Sequence, residues 1–175
     1  MKNKFSKTLS IGLIISLIVL MQLSLVQAKK PEGTPITMQF WGDTFTQHQR
    51  VEVNKFRFID WSMSGPMSPQ SIISGTFVWS DSTTIKFYSD AFERIQFERH
   101  SIEIVITGNI DGKSGTITIH SNIYFTYTYG GLDPYDIVHG NWKIVSGTDG
   151  FSELKGNGEL TFWEVYQFDG IIYGL

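Results

Sequence analysis

The chain has 175 residues, 14 basic and 17 acidic, with aromatics at 14% of positions and no cysteine. That length fits one domain with a sizeable core. The missing cysteines exclude disulfide staples, thiolate metal sites and a cysteine nucleophile, so packing alone must stabilise the fold.

Lys2, Lys4 and Lys7 precede an apolar run from Leu9 to Val26, and Val26-Gln27-Ala28 places small residues just before Lys29-Lys30. This pattern predicts a secretory signal helix over residues 1–28, cleaved after Ala28, with 29–175 as a single exported domain. An uncleaved membrane tether is the alternative, because a run of ~18 residues is the lower edge of a spanning helix. Three of the 14 basic residues and none of the 17 acidic ones lie in 1–28, so the remainder carries 11 against 17, a net charge of −6. That charge argues against nucleic acid as a partner and, after cleavage, against an anionic membrane surface.

From residue 34 onward the pattern is period-2 alternation, the signature of half-buried strands. Ile36 to Trp41 alternates weakly. Val51 and Val53 share one parity while Phe56 and Phe58 share the other, which predicts a bulge near Asn54-Lys55. Met63 to Gln70, with two prolines and a glycine, reads as a loop. Gly75–Ser80 and Thr83–Tyr88 flank Asp81-Ser82 and read as a hairpin. Ser89 to Arg99 is the one place for a helical turn. Ile102, Ile104, Ile106 and Ile110 form one face of a strand that ends at Asp111-Gly112, a hairpin turn pair. The next run, from Thr116 to Tyr129, alternates cleanly, and at ~3.3 Å per residue it is too long to stay straight in a small domain. Gly140–Ser146, Glu159–Phe168 and Gly170–Tyr173 complete the set. About eight antiparallel strands predict an all-β barrel, with a two-sheet β-sandwich as the alternative.

Four glycines, Gly147, Gly150, Gly156 and Gly158, crowd between Trp142 and Leu160. Their spacing fits neither a dinucleotide loop nor a P-loop, and a strand follows instead of a helix N-terminus. Asp149 and Glu153 are too few ligands for calcium. His48, His100, His120 and His139 show no metal-ligand spacing, so neither a metal nor another cofactor is expected. His120 falls on the threonine-rich face of its strand, which is either solvent or a polar cavity wall. The pairs Glu93/Glu98 and Asp133/Asp136 read as loop residues with no sign of facing one another. Aromatic residues fill β cores and also line ligand cavities. Tyr124, Trp163 and Tyr166, with His120 and Glu164, are the candidate ligand-binding residues.

The stretch from Gly140 to Gly158 resembles the Trp-x-Ile-Val-x-Gly-Thr-Gly-x-Tyr-x-x-Leu-x-Gly-x-Gly signature of small secreted bacterial proteins similar to the allene-oxide-cyclase-like and dirigent-like barrels. Trp142, Gly147, Thr148, Gly150, Phe151, Leu154, Gly156 and Gly158 carry the likeness, and Gly108 to Thr116 fits the hairpin that precedes it. Asp149 stands where the second glycine of Gly-Thr-Gly is usual, and Phe151 where tyrosine is common. The resemblance implies an eight-stranded antiparallel barrel with a central cavity, and it carries no activity. Within it, Phe151 and Leu154 are expected to plug the loop, and Gly156 and Gly158 to let the next strand start close to its neighbour.

Three functions fit these features. The first is a secreted, non-enzymatic barrel that binds a small apolar or amphipathic molecule. The second is a cofactor-free isomerase or cyclase acting by confinement, which a buried carboxylate of raised pKa such as Glu164 would favour. The third is a carbohydrate-binding or adhesion module, which requires a row of exposed coplanar aromatics.

Overall fold

The structure, a computed structural model, describes residues 32–89, 94–126, 137–162 and 166–175. Residues from Gly33 to Leu175 form one compact unit. The predicted signal segment lies outside the described residues, as do Glu93, Asp133, Asp136, Trp163 and Glu164.

Nine strands make up this unit: β1 (Thr34–Phe40), β2 (Thr44–Val53), β3 (Phe56–Pro66), β4 (Ser74–Phe87), β5 (Ile95–Ile110), β6 (Lys113–Thr126), β7 (Ile137–Gly147), β8 (Lys155–Phe162) and β9 (Tyr166–Tyr173). All pair antiparallel in one sheet of order β1-β9-β8-β7-β6-β5-β4-β3-β2, curled into a half-barrel. The barrel expectation therefore holds, with one strand more than the eight anticipated. Register shifts at Gln47/Gln49, Lys86/Phe87 and Thr118/Ile119 supply local bends of the kind such curling needs.

Alternation explains which face is inside. Phe77, Trp79, Asp81, Thr83, Ile85 and Phe87 of β4 are all buried, as are Ile102, Ile104 and Ile106 of β5 and Ile117, Ile119, Ser121, Ile123 and Phe125 of β6. Met38, Trp142 and Phe168 join them from β1, β7 and β9. The unbroken parity of β4 corrects the hairpin expected at Asp81-Ser82. Asp81 does not turn the chain, because its side chain finds hydrogen-bond partners within the interior.

Three other expectations change. Asn54-Lys55 is the β2–β3 hairpin turn and not a bulge, with Asn54 at φ 52°. Ile95 to Arg99 belongs to β5, so no helical turn occupies those five residues. Met63 to Pro66 extends β3, and the segment after it closes one end of the sheet. Met67 bridges to Phe40, the Ser68 amide donates to Gln39 O at 3.1 Å, and the Ile72 amide donates to Thr37 O at 3.3 Å. The loop composition thus serves to cover the free edge of β1.

The hairpin at Asp111-Gly112 forms as expected, with φ 49° and 80°, the left-handed pair a tight turn demands. The glycine-rich joint also behaves as anticipated. Thr148 leads into a 3-10 turn over Asp149–Phe151, with Asp149 at φ 51°. Phe151 (0% exposed) and Leu154 (4%) plug the interior beneath it. A Cβ on Gly158 would lie 1.9 Å from Asp169 O, so β8 and β9 approach as only glycine permits. The Trp142 indole donates to that same Asp169 carbonyl at 3.0 Å.

Candidate functional site

One end of the interior departs from its apolar composition. Register places Ile59, Thr83, His100 and Ile123 in one cross-strand row, and Trp61, Asp81, Ile102 and Ser121 in the next. Glu98 sits two residues before His100 on β5, on the same inward parity. Strands β4, β5 and β6 each hold a polar residue in a pleat position that elsewhere takes isoleucine or phenylalanine.

His100 is the centre of the group. Its Nδ1 lies 2.6 Å from Asp81 Oδ2, and its Nε2 lies 3.0 Å from Glu98 Oε1. The Thr83 hydroxyl contacts both His100 Nδ1, at 3.1 Å, and Asp81 Oδ1, at 3.3 Å. The Trp61 indole donates to Thr83 Oγ1 at 3.1 Å, extending the network onto β3. The Phe125 ring packs edge-on against the imidazole, with centroids 5.3 Å apart. Side-chain exposure is 7% for His100, 0% for Asp81 and 18% for Glu98.

The electrostatics follow from these contacts. Burial pulls the imidazole pKa down, but hydrogen bonds and charge from Asp81 and Glu98 outweigh it and carry His100 up to about 9. Burial pushes the Asp81 carboxyl above its ordinary value, opposed by His100 and Thr83. Both shifts describe one proton held tightly along the 2.6 Å bond. With a pKa of about 9, His100 is an imidazolium at neutral pH, held between the carboxyl groups of Asp81 and Glu98. A doubly protonated imidazole has no lone pair for a metal. No group of three or more metal-ligating side chains exists among the described residues.

Beside this group stands a second anomaly. Trp79, fully buried and two residues before Asp81 on β4, has an indole Nε1–H with no hydrogen-bond partner. Its neighbours are aromatic. Trp61 stacks on it at 6.1 Å, Tyr166 lies at 4.8 Å, and Phe40 and Phe168 meet it edge-on at 5.7 and 6.0 Å. A water there would find too few polar partners to be well held.

The candidate residues read from the sequence do not converge on one place. Tyr166 reaches this region through its contact with Trp79. His120 and Tyr124 lie on the outer face of β6; His120 pairs with Glu103 at 3.0 Å and Tyr124 stacks on Phe97 at 5.6 Å. Trp163 and Glu164 fall outside the described residues. Asp81, Thr83, Glu98 and His100 were not among the candidates, because Asp81 read as a turn and Glu98 as a loop residue. The available signal was parity: Phe77-x-Trp79-x-Asp81-x-Thr83 runs straight from an apolar face into a polar one.

No family model, curated protein or solved structure matches the chain. What the site can do must therefore be argued from its own chemistry.

Proposed function

We propose that the chain is an exported binding protein for a small amphipathic molecule held at the polar end of the sheet's interior. The carrying observation is the charged group Asp81–His100–Glu98 buried beside the unpartnered Trp79 indole. Buried ion networks seldom stabilise more than apolar residues of the same volume, so their presence points to use and not to stability. The aromatic walls of Trp61, Trp79 and Tyr166 suit an apolar body. Trp79 offers a donor and the carboxylates offer acceptors, a set that matches a hydroxyl head. The two acidic side chains, Asp81 and Glu98, disfavour a carboxylate head.

Titration with dodecanol and with dodecanoate, followed by tryptophan fluorescence, tests this reading. Saturable binding of the alcohol alone is expected, weakened in Trp79→Phe. Absence of any saturable change with dodecanol sinks it.

The raised Asp81 pKa favours a second reading, a confining isomerase or cyclase in which the Asp81–His100 pair moves a proton on the bound molecule. Deuterium exchange into bound ligand from heavy water, lost in Asp81→Asn, distinguishes it from simple binding.

A further inference from the structure

The outer face of the same sheet carries a separate feature. Cross-strand register aligns Asp60, Ser82, Ser101, Asn122, Asn141 and Glu159, one from each of β3 to β8, into a continuous polar row. None of them packs in the core. Two troughs follow this row, of about 420 Å³ over β2–β6 and about 510 Å³ over β5–β8; Asn122 lines both, and the first also touches Trp61 and Asp81 of the interior group. The floor of the first is low because Ser80, Ser82 and Ser101 are small, while His120 and Glu103 rise along one bank. Tyr124 lines the second trough, and Phe58 lies two residues before Asp60 on β3. Tyr124, 40% exposed, stacks on Phe97 with ring planes 23° apart, and Phe58, 44% exposed, stacks on Phe56 at 18°.

We infer that this trough binds a neutral oligosaccharide chain laid across the strands, on the face of the sheet opposite the interior site. A sugar ring presents hydroxyls at its edge and C–H groups on its face. The row of carboxylates, amides and hydroxyls serves the first, and the exposed Tyr124 ring serves the second. Neighbouring strands lie ~4.8 Å apart, so six strands span about 24 Å. That is close to one pyranose per strand spacing, or about five rings. Asp60, Glu103 and Glu159 lie along the trough, and with the predicted net charge they disfavour uronate or sulfated chains. Arg99 is the only arginine or lysine lining either trough among the described residues.

Isothermal titration with β-1,4-linked glucose, β-1,4-linked N-acetylglucosamine and α-1,4-linked glucose oligomers of about two to six units tests the assignment. At least one series is expected to bind with affinity rising to about five units and then levelling. Asn122→Ala and Tyr124→Ala are each expected to weaken it about tenfold, as loss of one hydrogen-bonding or stacking partner does. Both side chains are exposed, so both variants should fold, which circular dichroism checks. The inference is overturned if none of the three series binds, if a polygalacturonate oligomer binds as tightly, or if both variants retain full affinity. Dodecanol binding in Asn122→Ala should match the unmodified chain, which separates this site from the interior one.

Discussion

The two ends of the interior are built from the same strands by opposite means. At the glycine-rich end, Phe151 and Leu154 are buried in the same core as Ile110 and Ile117, and backbones approach closely at Gly147 and Gly158. At the other end, Asp81, Thr83, Glu98 and His100 occupy inward positions on the very strands that supply Phe77 and Ile104. One end is optimised for packing and the other carries buried charge that packing does not need. Where a fold tolerates such a local conflict, the conflict marks use.

The sharpest way to break the comparison is at the closed end. Gly158→Val places a side chain 1.9 Å from the Asp169 carbonyl, a backbone atom that cannot swing aside. The β8–β9 pair must separate there, and β9 is the sole ladder partner of β1. Loss of the folded state is expected, read as a collapse of the cooperative thermal transition. A variant melting like the unmodified chain would show that the joint is not a packing constraint.

That end was also the most legible in the sequence. Glycines, an Asp-Gly turn and alternating isoleucines act through local rules, so Asp111-Gly112, the Phe151 plug and the curled antiparallel sheet could all be anticipated. The polar end was not legible, for a physical reason. Asp81-Ser82 has turn composition, and non-local contacts hold it extended: the ladders to β3 and β5 and the bond to His100, 19 residues away. Tertiary partners overrode local preference, as they do where side-chain packing decides a strand. The outer-face residues His120 and Tyr124 were identified individually, but the row that runs between them through Asn122, from Asp60 to Glu159, required a register that alternation alone does not set.

At the polar end, His100→Ala should destabilise by about 3–5 kcal/mol, because Asp81 and Glu98 would then share a buried space without a cation. The double variant Asp81→Leu/His100→Leu should recover most of that loss, since it removes charge along with the partner. Urea unfolding of both variants measures the contrast. If the double variant is as unstable as the single one, the charged group is structural and the distinction between the two ends fails.

A smaller effect separates the ends by pH. His100 binds its proton more tightly in the folded chain, with a pKa of about 9 against an ordinary 6.5, and the Asp81 shift has the same sign. A folded state that holds extra protons is favoured at low pH. The His100 contribution is therefore complete below 6.5 and lost as pH rises through about 9. Stability should fall by on the order of 1–3 kcal/mol between those limits. His100→Gln should flatten the profile, whereas Phe151→Ala, at the closed end, should lower it without changing its slope.

The smallest test concerns the link between the two readings of the polar end. Trp61→Phe keeps an aromatic ring where Trp61 stacks on Trp79, but removes the indole donor to Thr83 Oγ1. One neutral hydrogen bond is worth about 1 kcal/mol, so the melting temperature should drop by only a few degrees. The informative readout is the pH profile. Thr83 Oγ1 donates to Asp81 and faces His100 Nδ1, and losing the indole N–H frees a lone pair on Oγ1 to accept from the imidazolium. If the network is a connected unit, the alkaline midpoint moves with this exchange of a single indole nitrogen. An unmoved midpoint would confine the unit to Asp81, His100 and Glu98 and leave Trp61 as a wall of the ligand site alone.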